Sequence, residues 1–347
     1  NKNMKFTAVV GNPPYQQKDG GAQASAMPVY NLFVEMAKKF NPDYISMIMP
    51  TRWYAGGKGL DDFRERMLND THISELHDFL NPTLIFPNIN LRGGICYFLW
   101  DNNYDNTKGL TKVFTYENTL APQITTRSLR TEGFDIFIRH ALAIDILKKI
   151  KSYSGFKSFE DHVSSRRPFN LDGEIISKPS IFRDSKEGMI DPVLCYGKGK
   201  KMGFLERSEI IKNKAWIEKI KVFTPYANNV GTELNDDNLN SFVGNSDTVC
   251  TETFIVIGAD LKLTKGSAQN LSKYLSTKFV RFMHSIPKVS QHGTAKTYKF
   301  IPLQNFTNES TVDWSKSISD IDKQLYKKYD LDEKEINFIE THVKAMK

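Results

Sequence analysis

The 347-residue chain is poor in cysteine and holds no internal repeat, low-complexity tract or long apolar run. Its cysteines, Cys96, Cys195 and Cys250, lie far apart in apolar surroundings and without metal-ligand spacing. They read as reduced core residues of a cytosolic protein rather than as a disulfide framework or a metal site. No stretch reaches the roughly 20 apolar residues of a membrane-spanning helix, so no membrane partner is expected. A nuclease of the common kind needs Pro-Asp followed by Glu-x-Lys, and neither Pro42-Asp43 nor Asp184-Ser185-Lys186 has its partner. Gly56-Gly57-Lys58-Gly59 lacks the Gly-Lys-Ser/Thr ending of a phosphate-binding loop and reads as a turn before a helix at Leu60–Asn69.

What remains is ordinary globular material with room for two domains, 25% charged and 40% hydrophobic. Its net charge of +7 favours a polyanionic partner. The most informative stretch is Phe6-Thr7-Ala8-Val9-Val10-Gly11-Asn12-Pro13-Pro14-Tyr15. A short strand runs into glycine and then into a loop that two prolines fix, at the strand end where α/β sheets place ligands. Asn-Pro and Pro-Pro are also ordinary turn signals. The chemistry the segment suits is activation of an exocyclic amine. The Asn12 side-chain oxygen and the Pro13 carbonyl can hold both hydrogens of an adenine N6 amine, turning its lone pair towards an electrophilic methyl group. Tyr15 offers a ring on which an extruded base can stack.

Gly11-Asn12-Pro13-Pro14-Tyr15 resembles the catalytic loop of the DNA amino-methyltransferases, and its Asn-first form resembles the N6-adenine branch. The rest of the chain is similar to the gamma-ordered enzymes of restriction–modification systems, strongly over 6–100 and more diffusely beyond. The resemblance implies an α/β fold: the C-terminal half of a Rossmann-like class I methyltransferase sheet, followed by an α+β target-recognition domain of the TaqI-like kind. It assigns catalysis to Asn12, Pro13, Pro14 and Tyr15, and stacking on the other face of the flipped base to Phe86, although Phe86 is also one of 23 phenylalanines. The methyl donor is expected to be S-adenosyl-L-methionine. Its Phe-x-Gly-x-Gly turn precedes the catalytic loop in gamma order. Phe254–Asp260 is the other candidate and has one glycine where at least two are needed. The donor site is therefore expected mostly outside this chain, in a missing N-terminal part of the same polypeptide.

In order, the pattern predicts a mobile loop over 16–27, a helix over Val29–Phe40, strands at Tyr44–Pro50, Ile73–Phe79 and Leu110–Tyr116, and an amphipathic helix over Phe134–Tyr153. Tyr44–Pro50 reads as a strand buried on both faces. The expected divisions are 1–133 for the catalytic half, 134–155 for a connector helix, 156–305 for target recognition and 306–347 for a helical end. Three basic loops in the second part are expected to contact double-stranded DNA: Arg166 and Arg167; Lys198, Lys200 and Lys201; and Lys288, Gln291, His292 and Lys296. Each taken singly is better read as a solvated surface group, as is Arg92. A single helix over Ser267–Ser285 and helices at Ile318–Tyr329 and Asp332–Met346 complete the chain, with Asp332 and Glu335 as a capping box. The sequence leaves a second reading open: a target-recognition module of a larger restriction enzyme, without chemistry of its own.

Overall fold

A computed structural model describes residues 6–17, 27–88, 91, 93–104, 107–232 and 236–346. The chain divides into two units, Asn1–Ile144 and Asp145–Lys347.

The first unit is built on a six-stranded mixed sheet. Its elements are β1 (Ala8–Gly11), α1 (Tyr30–Lys39), β2 (Tyr44–Pro50), α2 (Asp61–Leu68), β3 (Ile73–Phe79), β4 (Ile95–Asp101), β5 (Thr111–Tyr116) and β6 (Gln123–Arg127). The strand order is β1-β2-β4-β3-β5-β6. β1 runs parallel to β2, and β3 parallel to β5; β4 is antiparallel to both β2 and β3. One face carries Ile45, Met47, Met49, Leu76, Cys96, Phe98 and Val113, all buried. The other face is only partly covered. On it the His77 ring stacks on Tyr97 at 4.3 Å and on Phe114 at 4.1 Å, and Phe79 stacks on Tyr116 at 4.1 Å. β2 is thus buried on one face rather than two, because its neighbour β4 is antiparallel and this side of the sheet carries little cover.

One further expectation changes here. The apolar residues of α1 predicted from spacing do share faces, but Leu32, Phe33, Met36 and Phe40 point outwards while Tyr30, Val34 and Ala37 are buried. β1 ends the sheet, and Val10 is 76% exposed.

The helix α3 (Ala141–Ser152) crosses the division between the units and begins seven residues later than Phe134. Residues 134–140 instead make specific anchors: Phe137 N–H donates to the Tyr54 carbonyl, and Arg127 donates to the carbonyls of Ile138 and Arg139.

The second unit holds two small sheets. β7 (Pro192–Tyr196), β8 (Met202–Glu206) and β11 (Thr248–Cys250) form one, ordered β11-β7-β8; β9 (Lys221–Pro225), β10 (Phe242–Gly244) and β12 (Phe254–Ile257) form the other, ordered β10-β9-β12. Their shared core includes Phe169, Val193, Cys195, Leu205, Phe223, Val249 and Val256. Four helices follow: α4 (Lys265–Ser276), α5 (Lys278–Ser285), α6 (Ile318–Lys328) and α7 (Glu333–His342). The single helix predicted over Ser267–Ser285 is broken at Thr277, whose extended backbone ends α4 and whose hydroxyl caps α5 by accepting from Val280 N–H. The buried Asp322 carboxylate also accepts from Lys278 and Phe279 N–H at that helix start. The capping box of Asp332 and Glu335 is formed, although α7 stops at His342.

Candidate active site and nucleic-acid interface

The loop Asn12–Tyr15 leaves the carboxyl end of β1. Because β1, β2 and β3 run the same way, the turn after Pro50 and the segment after Phe79 leave the same edge of the sheet. Asn12 and Pro14 are exposed, Pro13 is buried and Tyr15 is half-buried. Among the described residues no donor reaches the Asn12 side chain or the Pro13 carbonyl. Burial pushes the Tyr15 phenol up to about 12, with the Cys96 thiol at the start of β4 as the second cause. Tyr15 is therefore a neutral ring beside the middle of the sheet edge.

The loop is tied behind by a short ladder: Val29 N–H donates to Tyr15 O, and Gln17 N–H donates to Met27 O at 3.0 Å. Residues 18–26 of the loop expected to be mobile lie outside the described residues, as does Arg92.

Phe86 is half-buried, in neither the core nor open solvent, and its N–H donates to Pro82 O. The segment that carries it is anchored at both roots. Leu80 N–H donates to Tyr116 O, and the wholly buried Thr51 takes the other end, its hydroxyl donating to Gly93 O at 2.5 Å and its N–H to Gly94 O. Beneath, Arg139 pairs with the buried Asp78 at 2.9 Å. Burial pushes the Asp78 carboxyl up, and Arg139 opposes that shift.

Neither glycine-bearing stretch in question offers an adenosyl site. At Gly56–Gly59 the hollow of the turn is filled from within: Arg64 donates to Ala55 O and pairs with Asp61, and Asp61 accepts from Gly57 N–H. Phe254–Asp260 is antiparallel β12 and its turn. A Cβ on Gly258 would meet Leu261, Leu263 and Leu271, and Asp260 pairs with His162. Neither of these two stretches fits the adenosyl group.

In the second unit several of the predicted DNA-contacting residues meet where β9 ends and β12 begins. Arg166 lies over the Tyr226 ring at 5.2 Å, and His292 stacks on that ring at 4.6 Å. The 288–296 loop is held there by backbone bonds, Asn228 N–H to Gln291 O and Gly293 N–H to Tyr226 O. Gln291 and Lys296 are exposed. Arg166 and Arg167 both bond to Glu252. Tyr226 and Glu252 carry no local sequence signal, since only the tertiary fold brings them to the arginines.

The Lys198–Lys201 turn follows β7, with Lys198 exposed and the Lys201 amine donating to Ile176 O; the Lys200 side chain lies outside the described residues. Lys288 is a correction. It is 7% exposed, and its amine donates to the carbonyls of Asn228 and Val230 at 2.8 Å each, so it braces the loop instead of reaching a partner.

A family model described as the Eco57I restriction-modification methylase matches residues 1–86, the stretch that contains the Asn12–Tyr15 loop and Phe86. A protein of Mycoplasma pneumoniae named an uncharacterized adenine-specific methylase is 30% identical over 167 residues, 46% of this chain and 40% of that protein. The solved type IIL restriction-modification enzyme MmeI, in complex with DNA, shares the fold over 96% of this chain and 56% of its own, at a TM-score of 0.50 and 11% identity. The chain thus spans about half the length, or less, of these relatives. Beyond residues 1–86, the likeness to MmeI extends through both units.

Proposed function

We propose that this chain supplies the acceptor half and the DNA-reading unit of a site-specific N6-adenine DNA methyltransferase of a restriction–modification system, in gamma order. The observation that carries the reading is the Asn12–Tyr15 loop at the carboxyl edge of β1, with two acceptors unengaged among the described residues and a neutral tyrosine ring beside them. Asn12 Oδ1 and the Pro13 carbonyl bind and orient the adenine amine. Tyr15 and Phe86, both half-buried on segments from one sheet edge, stack the base. S-adenosyl-L-methionine, when bound, supplies the methyl group.

Strand order supports a Rossmann-like methyltransferase sheet: an antiparallel strand, β4, lies between the parallel β2 and β3. Exposed apolar groups lie on the strands β1 and β2 (Val10 and Tyr44) and on and just after α1 (Leu32, Phe33, Met36 and Phe40). Such a patch calls for cover, and the cover we assign is the donor-binding part of the same polypeptide. The second unit, with α+β content and the cluster around Tyr226, is read as target recognition on double-stranded DNA. No helix of the described residues is long and apolar enough to cross a membrane, which suits a cytoplasmic enzyme. The alternative, a recognition module without chemistry, is favoured for the isolated chain because the glycine turns offer no adenosyl site.

The test uses the enzyme that contains this chain. Asn12→Ala lowers methyl transfer to adenine by at least about a hundredfold while DNA affinity holds. A rate within about threefold of wild type removes Asn12 from the chemistry, since one lost electrostatic contact costs far more.

A further inference from the structure

Arg166 and Arg167 lie in the segment that the sequence marks as a phosphate-contacting loop, yet both guanidinium groups are already committed. Arg166 Nη2 and Arg167 Nε each lie 2.9 Å from the same atom, Glu252 Oε2. Arg167 Nη2 takes a second carboxylate, Asp172, at 2.7 Å. Two cations and two anions leave this basic segment formally neutral.

The carboxylate cannot follow the arginines if they swing away. The Glu252 backbone is fixed by its N–H to Leu171 O. The Arg167 backbone is pinned too: its carbonyl accepts from Asn170 N–H and the Lys212 amine, and the Pro168 carbonyl accepts from Asn213 Nδ2. It is held at φ +58, immediately before a proline. That is a strained conformation for a residue with a side chain, and it becomes more so before proline. Arg166, about half exposed, stays over the Tyr226 ring beside His292. An oxygen gripped by two arginines is the arrangement in which proteins hold a nucleic-acid phosphate.

We infer that Glu252 is an internal stand-in for a DNA phosphate, so that DNA must displace a carboxylate before it gains Arg166 and Arg167. This rests on the reading of the second unit as a DNA reader and adds to it a residue that sets affinity. Any duplex that takes the two arginines first breaks their pairs with Glu252, so the carboxylate lowers DNA affinity by the cost of that exchange.

The experiment measures binding of the full chain to a short duplex of random sequence across a salt series, for wild type, E252Q, D172N and the double variant R166A/R167A. E252Q keeps the shape and removes the competing charge. It is expected to bind the random duplex on the order of tenfold more tightly at low salt, with a salt slope steeper by about one phosphate contact. D172N, which removes one of the two carboxylates on Arg167 and leaves Glu252 in place, shifts both quantities the same way and by less. R166A/R167A weakens binding and flattens the slope. If R166A/R167A binds like wild type, these arginines do not face DNA, and both the reading and the inference fall. If R166A/R167A weakens binding but E252Q and D172N leave it unchanged or weaken it, the DNA face stands, and Glu252 orients the arginines instead of competing for them.

Discussion

The carboxylate of Asp78 and the guanidinium of Arg139 meet at 2.9 Å at the root of the segment that carries Phe86. Asp78 lies on the buried face of the sheet between Cys96 of β4 and Thr115 of β5, fully withdrawn from water. Arg139 lies in the irregular stretch ahead of α3, so the pair ties that stretch to the centre of the sheet. A buried pair contributes little net stability against an apolar replacement, yet breaking one side strands a charge.

The two ends of this pair should therefore differ. The Arg139 side chain is 20% exposed and can be solvated if left alone, whereas Asp78 cannot. Arg139→Ala is expected to cost about 3–5 kcal/mol and Asp78→Asn clearly less. Urea unfolding of the two variants measures this, and equal losses would show that the charge on Asp78 is not what matters.

Gly94→Ala probes the same root from the backbone. A Cβ there would lie 2.5 Å from Phe79 O and against the Arg139 guanidinium, at φ +98. The Phe79 carbonyl belongs to β3 and cannot give way. Gly133 has a similar φ, +79, and open space around its Cβ position. Alanine at 133 is expected to cost about 1 kcal/mol from conformation alone, and at 94 several times that. Matching melting temperatures for the two variants would refute the crowding.

Phe86→Ala tests the base sandwich. In the enzyme containing this chain, binding of DNA with 2-aminopurine at the target position should weaken by about 1–3 kcal/mol, with a change in the emission of the extruded base. Unchanged emission would leave Phe86 a packing residue of its segment.

Lys288 gives a pH signature. Burial brings its amine down to about 7, against an ordinary 10.5. Between those values the unfolded chain holds the proton and the folded chain does not, so stability should rise with pH above about 7, by up to about 1.4 kcal/mol per unit. Lys221, lowered to about 8 by burial, adds a similar slope, so the comparison is with Lys288→Met, which should flatten the curve without abolishing it. An identical slope in the variant would mean that the two carbonyl acceptors keep the Lys288 amine charged.

Much of the site could be read locally. The Asn12–Tyr15 loop announces itself because two prolines after a strand and a glycine fix a conformation whatever the surroundings. The bounds of β2 were legible in its apolar run, and the α7 start in its capping residues. What spacing does not say is which face of an element is covered. The apolar residues of α1 share faces as expected, yet Leu32 and Met36 meet solvent. Nor does a lysine in a polar loop reveal that two carbonyls await it inside, as at Lys288. Thr277 was equally hidden, because a β-branched residue between two helical stripes looks like helix until its hydroxyl is seen capping the next one.

The open rim formed by β1 bears on how the chain can be handled. A terminal strand whose outward row of N–H and C=O groups meets no partner strand among the described residues, beside the solvated Val10, is a template for another copy. Concentrating the isolated chain should therefore promote strand-to-strand growth that light scattering would register. Val10→Lys should raise its working solubility without touching the neighbouring Asn12–Tyr15 loop.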